Sequence, residues 1–486
     1  MRLSVIGCGH LGAVHAACMA EIGHEVLGVD IDDSKIALLN SGKAGFHEPG
    51  LDEMLMRNVA KRRLQFTTSF AEAAEFGRVH FLGVATPGQS DGSYDLSQVT
   101  EAVTWLTRHV RTPCLVIGKS TVPPGTAAAL REITANVSPP GHVEIAWNPE
   151  FLREGSAVRD TLTPDRIVVG VGSDSAELAL REIYRPLIDA GTPLVVTDLA
   201  TAELAKGAAN AFLALRISFI NAMADLCTTV DGDVWALSRA LGLDPRIGPY
   251  FLSAGLGYGG SCLPKDVRGL AAFAGRTGER QANELLTIVD RINASRRDRV
   301  VRLVEEAVRS DYADGFPHGG SPLGGKRVAI WGAAYKPGTD DVRDSPGLDI
   351  SRGLHDLGAD VLVYDPMAMG NALTVCPELA YADSALTALH QADAVVVVTS
   401  WPEFAEISPV VAASQIGSMT IVDACQGIEV AAWRDAGWRV LSLTSSRAAP
   451  NGLTPGSPLS RPPAQRSRSL GSAEPPAPAR HPGGSR

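Results

Sequence analysis

A thiol, a cation and a carboxylate stand close together at Cys262, Lys265 and Asp266, within the segment GLGYGGSCLPKD. Glycine crowds the approach to the cysteine. It lets the main chain take positive φ and lie close to a ligand, at an entropic cost that a mere connector has no reason to carry. Cys262 has no C-x-x-C partner, so its spacing does not point to a metal. A free cysteine is most often a small buried hydrophobe, but the flanking Gly-Gly-Ser and Pro-Lys-Asp favour a nucleophile. Lys206 and Asn210 lie four apart in an Ala- and Leu-rich stretch and share one helical face. A lysine on an apolar helix is normally a snorkelling surface residue. With Asn210 beside it, the pair offers two donors to one developing negative charge. Glu150 and Glu154, in NPEFLREG, would also share a face if helical. Pro149 and Gly155 bound that segment tightly, which suits a binding loop better.

These groups need elements to hold them. Residues 2–7 read as a strand running into Gly7-Cys8-Gly9-His10-Leu11-Gly12, then a helix of small residues, then a strand over 25–29 that ends on Asp30. This is G-x-G-x-x-G in its structural context: the glycines permit a tight turn, and the helix start presents N–H groups to a pyrophosphate. Asp30 would accept from ribose hydroxyls and repel a 2′-phosphate, which favours NAD over NADP. Strands over 79–84 and 114–118 alternate with helical stretches, as in a parallel sheet covered on both faces. Thr86 and Thr121 follow those strands and fall on the ligand side. One long helix is expected from 200 to about 229, and a helical segment from the cysteine loop to about 309. A second α/β unit begins at a strand over 326–331, with a helix around 347–357 and strands over 360–364 and 394–399. Its opening turn lacks a complete G-x-G-x-x-G, so no second dinucleotide is expected.

The predicted fold is therefore α/β: two Rossmann-like doubly wound domains joined by a long central helix, with a disordered C-terminal tail. The expected divisions are 1–199, 200–309, a Gly/Pro-rich linker over 310–325, 326–446, and a basic tail over 447–486. From residue 451 the tail sets Arg461, Arg466, Arg468, Arg480 and Arg486 against Glu474 alone, with too little apolar surface to offset ordering. The formal charge of −10 argues against general nucleic-acid binding. An odd count of seven scattered cysteines reads as reduced thiols. The first residues lack a signal-peptide pattern, and no uninterrupted apolar run approaches the ~20 residues of a membrane helix. A cytoplasmic protein without a membrane partner is expected.

Taken together, NPEFLREG, AELAKGAANAFLALRISFINA, RIGPYFLSAGLGYGGSCLPKD and YKPGTDDVRDSP resemble the UDP-glucose/GDP-mannose dehydrogenase family. The resemblance runs from Met1 to about Ser445. It implies a four-electron oxidation of a sugar nucleotide's C6 alcohol to a carboxylate with two NAD, and a homodimer or larger homo-oligomer built on the central helix. By resemblance, Cys262 carries a thiohemiacetal and then a thioester, and Lys206 and Asn210 stabilise the oxyanions. Asp266 and Thr121 hold a catalytic water, and Glu150 is the base for thioester hydrolysis. Glu150, Phe151, Leu152, Arg153 and Glu154 line the sugar-nucleotide pocket, with Lys206 and Asn210. Phe251, Leu252, Ser253, Ala254, Gly255, Gly259 and Lys336 bind the substrate, and Arg246 reaches it across the dimer. NAD falls to Gly7, Gly9, Leu11, Gly12, Asp30, Lys35, Thr86, Thr121, Glu154, Lys265 and Arg343. Relatives carry Asp-Gly-Arg-Asn where this chain has Asp423-Ala424-Cys425-Gln426, so an arginine contact is lost. Arg246-Ile247-Gly248 leans toward UDP-glucose, with GDP-mannose or another UDP-sugar as the alternative. A singly oxidising β-hydroxyacid dehydrogenase would share the Lys-x-x-x-Asn pair but has no use for Cys262. A catalytically dead sugar-nucleotide binder is the reading from another class.

Overall fold

The structure, a computed structural model, describes residues 1–139, 141–309 and 323–444. Most of the expected linker and all of the expected tail lie outside the described residues.

The first sheet contains β1 (Arg2–Ile6), β2 (Glu25–Val29), β3 (Leu64–Thr67), β4 (Val79–Leu82), β5 (Cys114–Gly118), β6 (Val143–Trp147), β7 (Ile167–Gly170) and β8 (Leu194–Thr197). Their spatial order is β3-β2-β1-β4-β5-β6-β7-β8. Every pairing is parallel except β6 with β7. Strands β4 and β5 are buried along their whole length, the pattern of a parallel sheet sandwiched between helices. The chain reverses its direction of growth between β1 and β4. In an open α/β sheet the crevice beyond the strand ends at that point is where a ligand binds.

The second sheet repeats the arrangement with β9 (Arg327–Trp331), β10 (Asp360–Tyr364), β11 (Ala380–Tyr381), β12 (Ala394–Val397), β13 (Thr420–Asp423) and β14 (Arg439–Ser442). Their order is β11-β10-β9-β12-β13-β14, all parallel. An aromatic cluster fills one side of it: Trp331 stacks on Phe404 at 5.3 Å and meets Trp433 edge-on, which in turn packs against Trp438 at 4.6 Å.

Between the sheets runs the central helix, Leu199–Thr229, N-capped by Asp198, whose side chain accepts from the Thr201 amide. The single helical segment expected up to 309 is two helices. The cysteine helix, Leu263–Thr277, ends at Gly278, which takes φ +81° as its C-cap. The return helix then spans Arg280–Arg309. Both pack on the central helix. By length and composition alone the central helix could cross a membrane. Yet Glu203, Lys206, Asn210 and Asn221 are buried along it and bonded within the protein. Its exposed face carries an apolar row at Leu204, Phe212, Phe219 and Leu226.

Candidate active site

The glycine turn is built by steric necessity. Gly7 follows β1 at φ +89°, and a Cβ on Gly12 would strike the Gly7 carbonyl oxygen, so the helix His10–Glu21 can seat on the strand only with glycine there. No acidic side chain occupies that helix's first turn, which leaves its N–H groups and dipole to an anion. At the end of β2, Asp30 accepts from the Cys8 amide at 2.8 Å and from Lys35 Nζ at 2.9 Å. A cleft of 1370 Å³ opens here, lined by Gly7, Gly9, Leu11, Asp30, Lys35, Thr86, Thr121, Glu150, Leu152, Glu154, Lys265 and Arg343, and it reaches Cys262. Thr86 donates its hydroxyl to the Thr121 carbonyl at 2.7 Å, tying the two strand ends together. Glycine turn, helix start, Asp30 at the strand end and a cleft reaching from them to Cys262 together fit a dinucleotide.

At the far end of the cleft, Cys262 is the N-cap of the cysteine helix, its Sγ 3.4 Å from the Ser261 hydroxyl. Two cation–carboxylate pairs flank it. Lys206, 3% exposed, reaches Glu150 Oε1 at 3.0 Å. Lys265 donates to Asp266 Oδ1 at 2.7 Å, while Asn210 donates to Asp266 Oδ2 at 2.6 Å. Burial pushes the Cys262 thiol up, and Glu150 pushes it further; Lys206 and the Ser261 hydroxyl oppose them. The resting group is therefore the thiol, and the proximate ammonium is what favours its anion. For Lys206, burial works against the ammonium, yet Glu150, Cys262 and Asp266 together hold it above the ordinary lysine value. The expected pair of donors is thus brought to the cysteine, each anchored by a carboxylate of its own.

Glu150 and Glu154 lie on a loop and not on a helical turn. Glu150 Oε2 accepts from the Leu152 amide at 2.7 Å. Glu154 gathers contacts from the second sheet's side: Oε1 accepts from Ser261 at 3.0 Å and Arg343 at 3.2 Å, Oε2 from the Tyr335 hydroxyl at 3.3 Å. Its carbonyl accepts from Lys336 Nζ at 2.6 Å. The cysteine loop itself is wedged under the same wall. A Cβ on Gly259 would strike the Asp344 carbonyl oxygen, and Gly260, at φ +84°, lies against the Tyr335 ring. Gly259→Ala is accordingly expected to cost at least tenfold in kcat, because the rigid backbone must move by the order of 1 Å. Steady-state kinetics alongside a melting curve checks this.

The 251–255 loop is anchored from three elements. Asn221 Oδ1 accepts from the Gly255 amide at 2.8 Å, Arg296 donates to the Gly255 carbonyl at 3.0 Å, and Gln426 donates to the Ala254 carbonyl at 3.1 Å. Leu252 and Ala254 are buried while Ser253 faces out. Phe251 is held at φ +61°, a conformation bulky residues avoid. Two residues of the expected set stand apart. Arg153 turns to Asp160, donating through Nε at 2.8 Å and Nη2 at 2.6 Å. Arg246 is 87% exposed and paired with Asp244 on its own turn.

Sequence models of the UDP-glucose/GDP-mannose dehydrogenase family match at residues 1–188 (NAD binding domain), 200–295 (central domain) and 329–429 (UDP binding domain). The chain belongs to the UDP-glucose/GDP-mannose dehydrogenase family. Among its curated members, the UDP-glucose 6-dehydrogenase of Rhizobium meliloti is 41% identical over 407 residues, covering 83% of this chain and 90% of that protein. The UDP-glucose 6-dehydrogenase AglM of Haloferax volcanii is 43% identical over 417 residues, covering 84% and 93%. A UDP-glucose dehydrogenase structure from Pyrobaculum islandicum superposes with TM-score 0.82 at 37% identity, covering 92% of this chain and 98% of that one. The cofactor of this family's first domain is NAD.

Within that family frame, several contributors escaped the reading of the sequence. Lys119 directly follows β5 and is buried, with its amine drawn down to about 8 by desolvation; it donates to Asn148 Oδ1 at 2.9 Å. That bond fixes the residue two before Glu150. Tyr94 covers Asp266 and lies 4.6 Å beneath the Lys265 ammonium. Arg268 bridges Asp290 and Asp344 at the cleft mouth. Lys119 was visible as a charge inside KSTVPPGT; the others carry no local signal.

Proposed function

We propose that this chain oxidises the C6 hydroxyl of UDP-glucose to the carboxylate of UDP-glucuronate in two NAD-dependent steps. The observation that carries the reading is the placement of Cys262 at the end of the dinucleotide cleft, between Lys206–Glu150 and Lys265–Asp266. Residues 1–199 would hold the cofactor, through Gly7, Gly9, Leu11, Gly12, Asp30, Lys35, Thr86, Thr121 and Glu154, with Lys265 and Arg343 reaching it from outside that range. Bound NAD+ supplies the hydride acceptor for each oxidation.

In the first step the C6 hydroxyl proton leaves by way of water held at Asp266 and Thr121, Lys206 and Asn210 stabilise the alkoxide, and loss of the first hydride from C6 gives the aldehyde. The Cys262 sulfur then adds to the aldehyde carbon while the carbonyl oxygen takes a proton, giving a thiohemiacetal bonded to the protein. Covalent capture keeps a reactive aldehyde in place between two hydride transfers. Loss of the second hydride and the hydroxyl proton gives the thioester. Glu150 takes a proton from water as it attacks, the carbon–sulfur bond breaks, and Cys262 recovers its proton.

The 251–255 loop, Gly259, Lys336 and residues 326–446 supply the sugar-nucleotide side. The same reading has the apolar row of the central helix meet a second copy, with Arg246 reaching the neighbouring site. Its free cysteines suit a reducing, cytoplasmic setting. The test is NADH formed per sugar consumed with limiting UDP-glucose, GDP-mannose or UDP-N-acetylglucosamine. Two NADH per UDP-glucose is expected. One would remove the thioester step; none with any of the sugars would leave a binder; two with another sugar alone would move the substrate and point to Cys425.

A further inference from the structure

Glu48 is a carboxylate that the reaction does not use, and it sits where two parts of the site meet. Its side chain is completely buried, 0% exposed. Three donors converge on it: the Gly155 amide at 2.8 Å and His10 Nε2 at 3.1 Å on Oε2, and the Ala157 amide at 2.7 Å on Oε1. An ionised carboxylate only accepts, so His10 must carry its proton on Nε2. Burial alone would raise the Glu48 carboxyl, but His10 and the two amides outweigh it and hold it below the usual range.

The partners belong to separate parts of the site. His10 is inside the glycine turn and lines the cofactor cleft, its ring 4.7 Å from Phe46. Gly155 and Ala157 close the loop that carries Glu150 and Glu154. The short helix after that loop, Ala157–Leu162, receives no capping bond from its own N-cap Ser156. Glu48, 109 residues away in sequence, takes that place for the Ala157 amide. A buried charge with three donors is costly to leave half-satisfied, so displacement of the turn or of the loop is felt by the other.

We propose that Glu48 is a positioning residue that ties the glycine turn, through His10, to the Glu150–Glu154 loop, so that cofactor and sugar nucleotide bind cooperatively. This rests on the assignment of turn and loop to those two ligands. Glu48 touches neither ligand in this account.

The experiment measures NADH affinity by fluorescence, with and without saturating UDP-glucose, a pair that cannot react. In the wild type UDP-glucose should tighten NADH by about fivefold or more, the lower end of ordinary coupling. His10→Phe keeps the ring against Phe46 but removes the donor, and the tightening should fall below about twofold. Glu48→Gln puts an amide donor against backbone donors. It should lower kcat by about tenfold or more through the displaced loop, and its tightening of NADH by UDP-glucose should also fall below about twofold. Retention of full tightening in His10→Phe, or none in the wild type, overturns the proposal. If Glu48→Gln does not fold, His10→Phe decides alone. Failure of the wild type to oxidise UDP-glucose is a separate result and overturns the substrate assignment.

Discussion

Cys262→Ser lowers kcat by about a thousandfold or more, the scale seen when a nucleophile is removed from a cooperating set. The fold should be untouched, since among the described residues the hydrogen-bonding contact of Cys262 Sγ is the 3.4 Å one with Ser261, and the oxygen is smaller. The surroundings were arranged for sulfur. Burial and Glu150 hold the group protonated at rest, and Lys206 lowers the cost of its anion only partly. An alcohol begins far less acidic than a thiol and gains no compensating donor here. Rapid-quench analysis should find the first oxidation within reach and the second stalled. Wild-type turnover by the variant would remove the covalent intermediate from the account.

Lys206→Met should cost about a hundred- to a thousandfold in kcat, the usual result of removing one donor to a developing oxyanion. It should also destabilise the protein by roughly 1–3 kcal/mol, because Glu150, half-buried at the cleft wall, is left without its partner. A second substitution tests the cause of the destabilisation. Lys206→Met with Glu150→Gln relieves the unpaired charge, so the melting temperature should recover, while kcat stays low because the proposed base is gone as well. Recovery of both would show that neither residue takes part in the chemistry. The folded value of Lys206 lies above the ordinary one. Its contribution to stability is therefore full below about pH 10.4 and disappears as pH rises through the raised folded value. Wild type and variant should converge only in strongly alkaline solution.

How much of this could be read beforehand depended on sequence distance. The glycine turn was legible because strand, turn, helix and Asp30 are contiguous and each part has its own steric demand. Lys206 and Asn210 were legible as neighbours on one face. Their partners were not: Asn210 meets Asp266 56 residues further on, and Lys206 meets Glu150 on a loop beyond β6. The pair therefore read as two free donors, when each is held by a carboxylate. Short strands such as β3, β7 and β13 were missed: four residues give little periodicity, and β4 and β12, equally short, were read only as longer runs over 79–84 and 394–399. Glu48 reads as one charge in a turn, and only the tertiary packing reveals its three donors. Cys425 stood out as a departure from the arginine that the resemblance leads one to expect, but the bond from Gln426 to the 251–255 loop was not visible.

Three residues without the freedom of glycine are held at positive φ along the seam between the 251–260 segment and the second sheet's domain: Phe251, Asp344 and Gln426. Each such conformation stores of the order of 1–3 kcal/mol and survives only while its surroundings enforce it. Asp344 and Gln426 belong to the second sheet's domain, and Phe251 to the segment that domain braces. The seam is thus under tension when shut, and it should be the first region to open short of global unfolding. Opening it separates Lys336, Arg343 and Gln426 from Glu154 and Ala254 while both sheets remain intact. A ligand spanning the seam favours the closed form by mass action. Substrate supply would then govern how long the enzyme lasts as well as how fast it works.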